Sequence, residues 1–193
     1  VKDQCTVDLI YGFGNWMATI DREWFRRARK GAILGLLVPV APIEDLIWMK
    51  SYVGHRERYD GADIAHLLHA SQGRVDWNHL LHRFGEHWEL LLSHLVLFRF
   101  VYPDDRQLVP VWVMRELTGR LRDGTSTTRL SKTCRGPLLD RYQYLDDIER
   151  EGYHDPREEL AISHGGKRRD VIEDRKKARN TLHQGLVRWR DVA

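Results

Sequence analysis

The side chains best suited to chemistry in this sequence are Asp8, Lys50, Arg58, Asp60 and Asp63. Asp8 sits inside the apolar run TVDLIY at residues 6–11, where a carboxylate is costly to bury unless it is paired or bound to a metal. One use for such an acid is to hold Mg²⁺ or to act as a base on a sheet, as phosphoryl and nucleotidyl transfer require. The plainer use is a solvent-facing acid on an edge strand. Lys50 falls among Ile43, Leu46, Ile47, Met49 and Val53 on a helical wheel at about 100° per residue. An ammonium placed there could reach into a cleft and hold a phosphate. It could equally run its stem along the core edge to water. Arg56, Arg58, Asp60 and Asp63 form the third group. Asp60 or Asp63 could orient Lys50 or Arg58, or Asp60 could simply cap a helix while the arginines are solvated.

Other patterns carry less. His66/His69, His79/His82 and His87/His94 recur near helical spacing, but no HExxH or cysteine partner accompanies them, which argues against zinc. Gly165-Gly166-Lys167 lacks the remainder of a phosphate-loop signature. The basic runs Lys167-Arg168-Arg169 and Arg175-Lys176-Lys177 read as a solvated helix face.

The positioning elements follow from periodicity. Residues 6–11 read as a strand, with a turn at Gly12-Phe13-Gly14-Asn15. A short helix is expected over 21–29, and a strand over 32–40 interrupted by Gly35 and Pro39. Pro42 suits a first helical position, with Glu44 and Asp45 in the first turn and Gly54 closing the helix. Further helices are expected over 60–70, 77–84, 86–101, 110–122, 138–152 and 168–189, and a loop over 124–133. In the helix at 77–84, Leu80, Leu81 and Phe84 point inward, and 86–101 is apolar nearly all round, as a core helix would be. The fold class is therefore α+β, with strands first and a mostly helical bundle afterwards. The expected domains are 1–41 for the sheet part, 42–157 for a helical domain and 158–193 for a charged helical tail.

Bulk composition narrows the class. A chain of 193 residues can bury a substantial core, and its 42% hydrophobic and 31% charged content is that of a globular protein. Seven tryptophans argue against disorder. The net charge of +3 permits nucleic-acid contact without implying it. Cys5 and Cys134 form no CxxC pair, which fits a reducing, cytoplasmic setting. The longest apolar run, 90–101, is too short and too interrupted to span a bilayer. No signal peptide is visible, and the start at Val1 reads as a chain missing upstream residues.

Three stretches together carry a resemblance: VDLIYGFGNW…IDREWF, PIEDLIWMKSYVGHRERYDGADIAHLL, and DWNHLLHRFGEHWELLLSHLVLFRFVYP. A fourth, CRGPLLDRYQYLDDIEREGYHDPR, extends it. The chain resembles bacterial nucleotidyltransferase family proteins, which are similar to AbiEii-type toxins of the polymerase-β-like superfamily. The likeness spans residues 6–157, is specific over 50–68 and is loose beyond Arg157. It implies that residues 1–41 are the end of a nucleotidyltransferase mixed β-sheet. It implies that Asp8 matches the third metal-binding acid, that Lys50 contacts nucleotide phosphates, and that Arg58, Asp60 and Asp63 form a late acidic motif binding the nucleotide. The superfamily's Gly-rich turn and Asp-x-Asp pair are not in this chain and would lie upstream of Val1. The implied activity is transfer of a nucleotidyl group from an NTP, with Mg²⁺, to an unknown acceptor such as tRNA or protein. The chain alone is expected to be inactive, because one acid cannot hold a two-metal clamp. An antitoxin partner and the absence of membrane association belong to the same expectation. The alternative is a non-catalytic nucleotide-binding or interaction module with the same fold.

Overall fold

The computed structural model describes residues 15–17, 20–55, 58–124 and 132–185. The expected strand at 6–11, with Asp8, and the residues Cys5 and Arg56 lie outside them. The fold is α+β, with two small antiparallel sheets among the described residues. The chain divides into two compact units, one formed by residues 22–131 and the other by residues 1–21 and 132–193.

The 22–131 unit opens with α1 (Arg22–Arg27) and the hairpin of β1 (Arg29–Ile33) and β2 (Leu36–Val40). One strand was expected over 32–40. The backbone instead reverses at Leu34 and Gly35, whose φ values are 51° and 79°. Two successive left-handed residues make the two-residue turn whose twist suits a hairpin, and glycine takes the second place without strain. Pro39 is tolerated because each strand of a two-stranded sheet has an open edge. The hairpin leaves Leu34, Leu36 and Leu37 exposed.

Helices then build the core. They are α2 (Ile43–Ser51), α3 (Gly61–Ser71), α4 (Trp77–Phe84), α5 (Trp88–Val101) and α6 (Val111–Gly124). Between α2 and α3 lies a short hairpin, β3 (Gly54–His55) with β4 (Arg58–Tyr59). Helix α5 is the hub and packs against α2, α3, α4 and α6. Its Leu91, Leu95 and Phe98 are fully enclosed, beside Ile47, Ile64, Leu68, Leu80, Phe84, Val113 and Leu117 from its neighbours. Each such side chain contributes about 1.5–3 kcal/mol by leaving water. Trp77, Leu80 and Phe84 are the buried face of α4, while Leu81 is only half-buried. Asp76 caps that helix, its carboxylate accepting from the His79 N–H at 3.1 Å.

The buried face of α2 differs from the expected one. It consists of Glu44, Asp45, Ile47, Trp48 and Ser51, whereas Ile43, Leu46 and Met49 are half-buried. Two carboxylates turn inward because partners wait there. Glu44 Oε1 accepts the Asp76 N–H at 2.7 Å. Asp45, fully enclosed, pairs with Arg83 Nε at 2.6 Å and faces His79 Nε2 at 3.5 Å. A buried charge is tolerable only when another group meets it in this way.

In the second unit, α7 (Leu145–Glu149), α8 (Arg157–Ser163) and α9 (Arg168–Gly185) enclose Leu138, Leu145, Ala161, Val171 and Ala178. Asn15 Nδ2 donates to the Leu138 carbonyl at 3.0 Å, tying residue 15 into this unit. The basic face expected to be solvated on α9 is partly turned inward. Lys176 and Lys177 are exposed, but Arg175 donates to Asp155 at 3.1 Å and to Glu158 at 2.6 Å. Over 138–152 the helical stretch is confined to a 3₁₀ turn, Gly136–Leu138, and to α7. Between them Asp140 accepts backbone N–H groups from Tyr142 and Gln143, a side-chain turn that competes with helix.

Candidate functional site

The sequence from α2 to α3 folds back on itself, and this places the candidate residues. Helix α2 ends at Ser51, the β3–β4 hairpin reverses the chain, and the Asp60 N–H donates to the Val53 carbonyl at 3.3 Å. The last turn of α2 therefore stands beside the first turn of α3. Lys50 Nζ donates to Asp60 Oδ2 at 3.0 Å and to Asp63 Oδ2 at 2.6 Å. Arg58 Nε donates to the other Asp60 oxygen at 3.3 Å. Asp60 occupies the N-cap position of α3, yet its side chain caps no backbone N–H. Both of its oxygens serve cations instead.

Burial grades the cluster. Asp60 is buried, Lys50 is half-buried, and Asp63 and Arg58 are exposed. Partial burial works against the Lys50 ammonium, but its hydrogen bonds to Asp63 and Asp60 outweigh that and hold its pKa above the ordinary lysine value. The hydrogen bond from Lys50 lowers the Asp63 carboxyl in turn. Lys50 is thus an ammonium at neutral pH. Among the described residues two of its three donors are engaged, both by carboxylates, which leaves one for an incoming acceptor.

An aromatic layer adjoins the cluster. The Tyr59 ring stacks on His94 of α5, with centroids 6.3 Å apart and planes 18° from parallel. Tyr59 is 56% exposed, while His94 is buried. Burial pushes the His94 imidazole down to about 4, against an opposing pull from the Ser51 backbone, so the ring under Tyr59 is neutral. A Cβ on Gly61 would collide with the Tyr59 ring, so the ring's position depends on glycine at that site.

The residues singled out from sequence divide accordingly. Lys50, Arg58, Asp60 and Asp63 come together, and Asp8 lies outside the described residues. Among the described residues, no three His, Cys, Asp or Glu side chains gather as a metal site. Asp60 and Asp63 face an ammonium, which competes with a divalent ion for the same oxygens, so as placed they do not fit Mg²⁺. The histidines serve other ends. His69 Nδ1 pairs with Asp105 at 2.7 Å, and His87 Nδ1 meets the Tyr52 hydroxyl at 2.8 Å.

No family model, curated protein or solved structure matches this chain. Among the described residues, no helix is long and apolar enough to cross a membrane. The sequence pattern did not single out Tyr59, and it raised His94 only as a zinc ligand. The available signal was local: an aromatic two residues ahead of a glycine that opens a helix marks a place where backbone and ring approach closely.

Proposed function

We propose that this chain carries the phosphate-binding part of a nucleotidyltransferase-like site. Lys50 would donate its remaining N–H to a nucleotide phosphate, and Asp60 and Asp63 would keep its ammonium charged and aimed. The supporting observation is the half-buried Lys50 ammonium held by two carboxylates beside the exposed Arg58 guanidinium. It falls within residues 50–68, where the resemblance is most specific. Positioning and charge stabilisation are what transfer of a nucleotidyl group chiefly demands of a protein. Mg²⁺ belongs to this reading through Asp8 and not through Asp60 or Asp63.

Lys50→Ala is expected to weaken MgATP binding by about 10- to 100-fold, the range of one hydrogen bond to a charged group. Isothermal titration of wild type and variant measures it. Equal affinity would remove Lys50 from the site. Transfer itself is tested by incubating the longest natural form of the protein with α-labelled NTPs and cell RNA. Labelling that Asp8→Ala abolishes supports transfer, whereas equal labelling, or none, overturns it.

A second reading, a nucleotide-binding module without transfer activity, draws on the internal balance of the cluster. Two cations and two carboxylates neutralise one another. MgATP binding that depends on Lys50, with no labelling of any acceptor, is its expected signature.

A further inference from the structure

We infer that Tyr59 is the nucleobase platform of this site, presenting one face of its ring to a purine or pyrimidine while Lys50 and Arg58 hold the phosphates. The inference rests on the nucleotide reading and specifies how the base end of the ligand is bound. An exposed aromatic ring beside cations is the combination that binds nucleotides without strong base selectivity, because every base has a stackable face. A lone surface tyrosine would pay side-chain entropy to hold one orientation. Tyr59 is held already. His94 lies behind it in a near-parallel stack, and the bare Gly61 Cα receives its hydroxyl-bearing edge. The β3–β4 pairing of Tyr59 with Gly54 fixes the backbone beneath it. The flanking residues Arg58 and Asp60 belong to the Lys50 cluster, which puts the ring next to the phosphate-facing cation.

The test compares two probes on the 193-residue chain: MgATP, which has a base, and magnesium tripolyphosphate, which has none. Affinities are measured by isothermal titration on wild type, Tyr59→Phe, Tyr59→Leu and Gly61→Ala. Circular dichroism and thermal melts establish that each variant is folded. Tyr59→Phe keeps the ring and is expected to bind both probes as wild type does. Tyr59→Leu is expected to lose about tenfold or more for MgATP and nothing for tripolyphosphate. Gly61→Ala retains the tyrosine but displaces its ring, so it is expected to show the same selective loss. This second variant also suits the helix, because alanine is the better helix former.

Equal losses for both probes in Tyr59→Leu and Gly61→Ala, or no loss for MgATP, overturn the platform while leaving Lys50-dependent phosphate binding intact. Failure of wild type to bind either probe overturns the nucleotide reading and the platform with it.

Discussion

Arg157→Met is expected to destabilise the unit containing α7, α8 and α9 by about 3 kcal/mol, toward the lower end of the range for breaking a buried ion pair. Arg157 and Asp155 are almost wholly enclosed. The guanidinium forks onto the Asp155 carboxylate, with Nε at 3.1 Å from Oδ1 and Nη2 at 2.7 Å from Oδ2. Its third arm, Nη1, reaches Asp174 at 3.1 Å. Methionine fills most of the volume and supplies none of these donors. The loss stays near the lower end because Arg175 still reaches Asp155, and Arg141 still reaches Asp174. Hydrogen exchange of the α8 and α9 amides measures the effect directly. Protection unchanged from wild type would show that the network contributes little.

The same network has a defined pH dependence. Burial alone would raise the Asp155 carboxyl, but the hydrogen bonds and charge of Arg157, with Arg175 behind them, outweigh it and lower the pKa. A carboxylate depressed in the folded state adds stability above its unfolded pKa of about 3.9. That contribution is lost as pH falls through the folded value. The penalty of Arg157→Met is therefore expected to be full near neutral pH and to shrink in acid below about pH 4, where the wild type loses the same pairing. A penalty that grows as the pH falls would contradict the assignment.

Asp45→Ala is expected to cost the 22–131 unit about 3 kcal/mol, because it removes the enclosed carboxylate that Arg83 Nε meets at 2.6 Å. Asp45 has no exposed surface, and the Arg83 side chain has little. Arg83 also lies over the Trp48 ring at 5.4 Å, so its place is determined from two sides and it cannot simply swing to water. Urea titration followed by tryptophan fluorescence reads this unit well, since Trp24, Trp48, Trp77, Trp88 and Trp112 all belong to it. Arg83→Met should cost a similar amount, because among the described residues it leaves the enclosed Asp45 carboxylate facing only the more distant His79 Nε2, at 3.5 Å. The double variant Asp45→Ala/Arg83→Met should recover part of the sum, because contacting partners are non-additive. Strict additivity would mean that the two side chains do not stabilise each other.

These two pairs also show where sequence reading stops. Local patterns announced α3 and α4 almost to the residue: an aspartate at the cap position, then apolar positions three and four apart, then a glycine at or just past the end. Gly35 announced an interruption, and the hairpin turn lies there. The inner face of α2 was misjudged for a physical reason. A hydrophobic wheel assigns Glu44 and Asp45 to water, and that holds only until a partner offsets the cost of desolvation. Arg83, His79 and the Asp76 N–H are such partners, brought in by a different helix and its cap. On α9 the runs of lysine and arginine suggested a solvated face, yet Asp155 and Glu158 draw Arg175 inward.

The same division runs through the candidate site. The extents of α3 and α4, the α+β class and the candidacy of Lys50, Arg58, Asp60 and Asp63 followed from residue type and short-range spacing, because those depend on neighbours a few positions away, whereas α8 was not anticipated and residues 138–152 read as one long helix. Which oxygens Lys50 meets, and that Tyr59 is backed by His94, were decided only by the tertiary fold. Those contacts depend on a chain reversal at β3–β4 and on α5 packing against α2 and α3, and no local pattern encodes where a distant helix will pack.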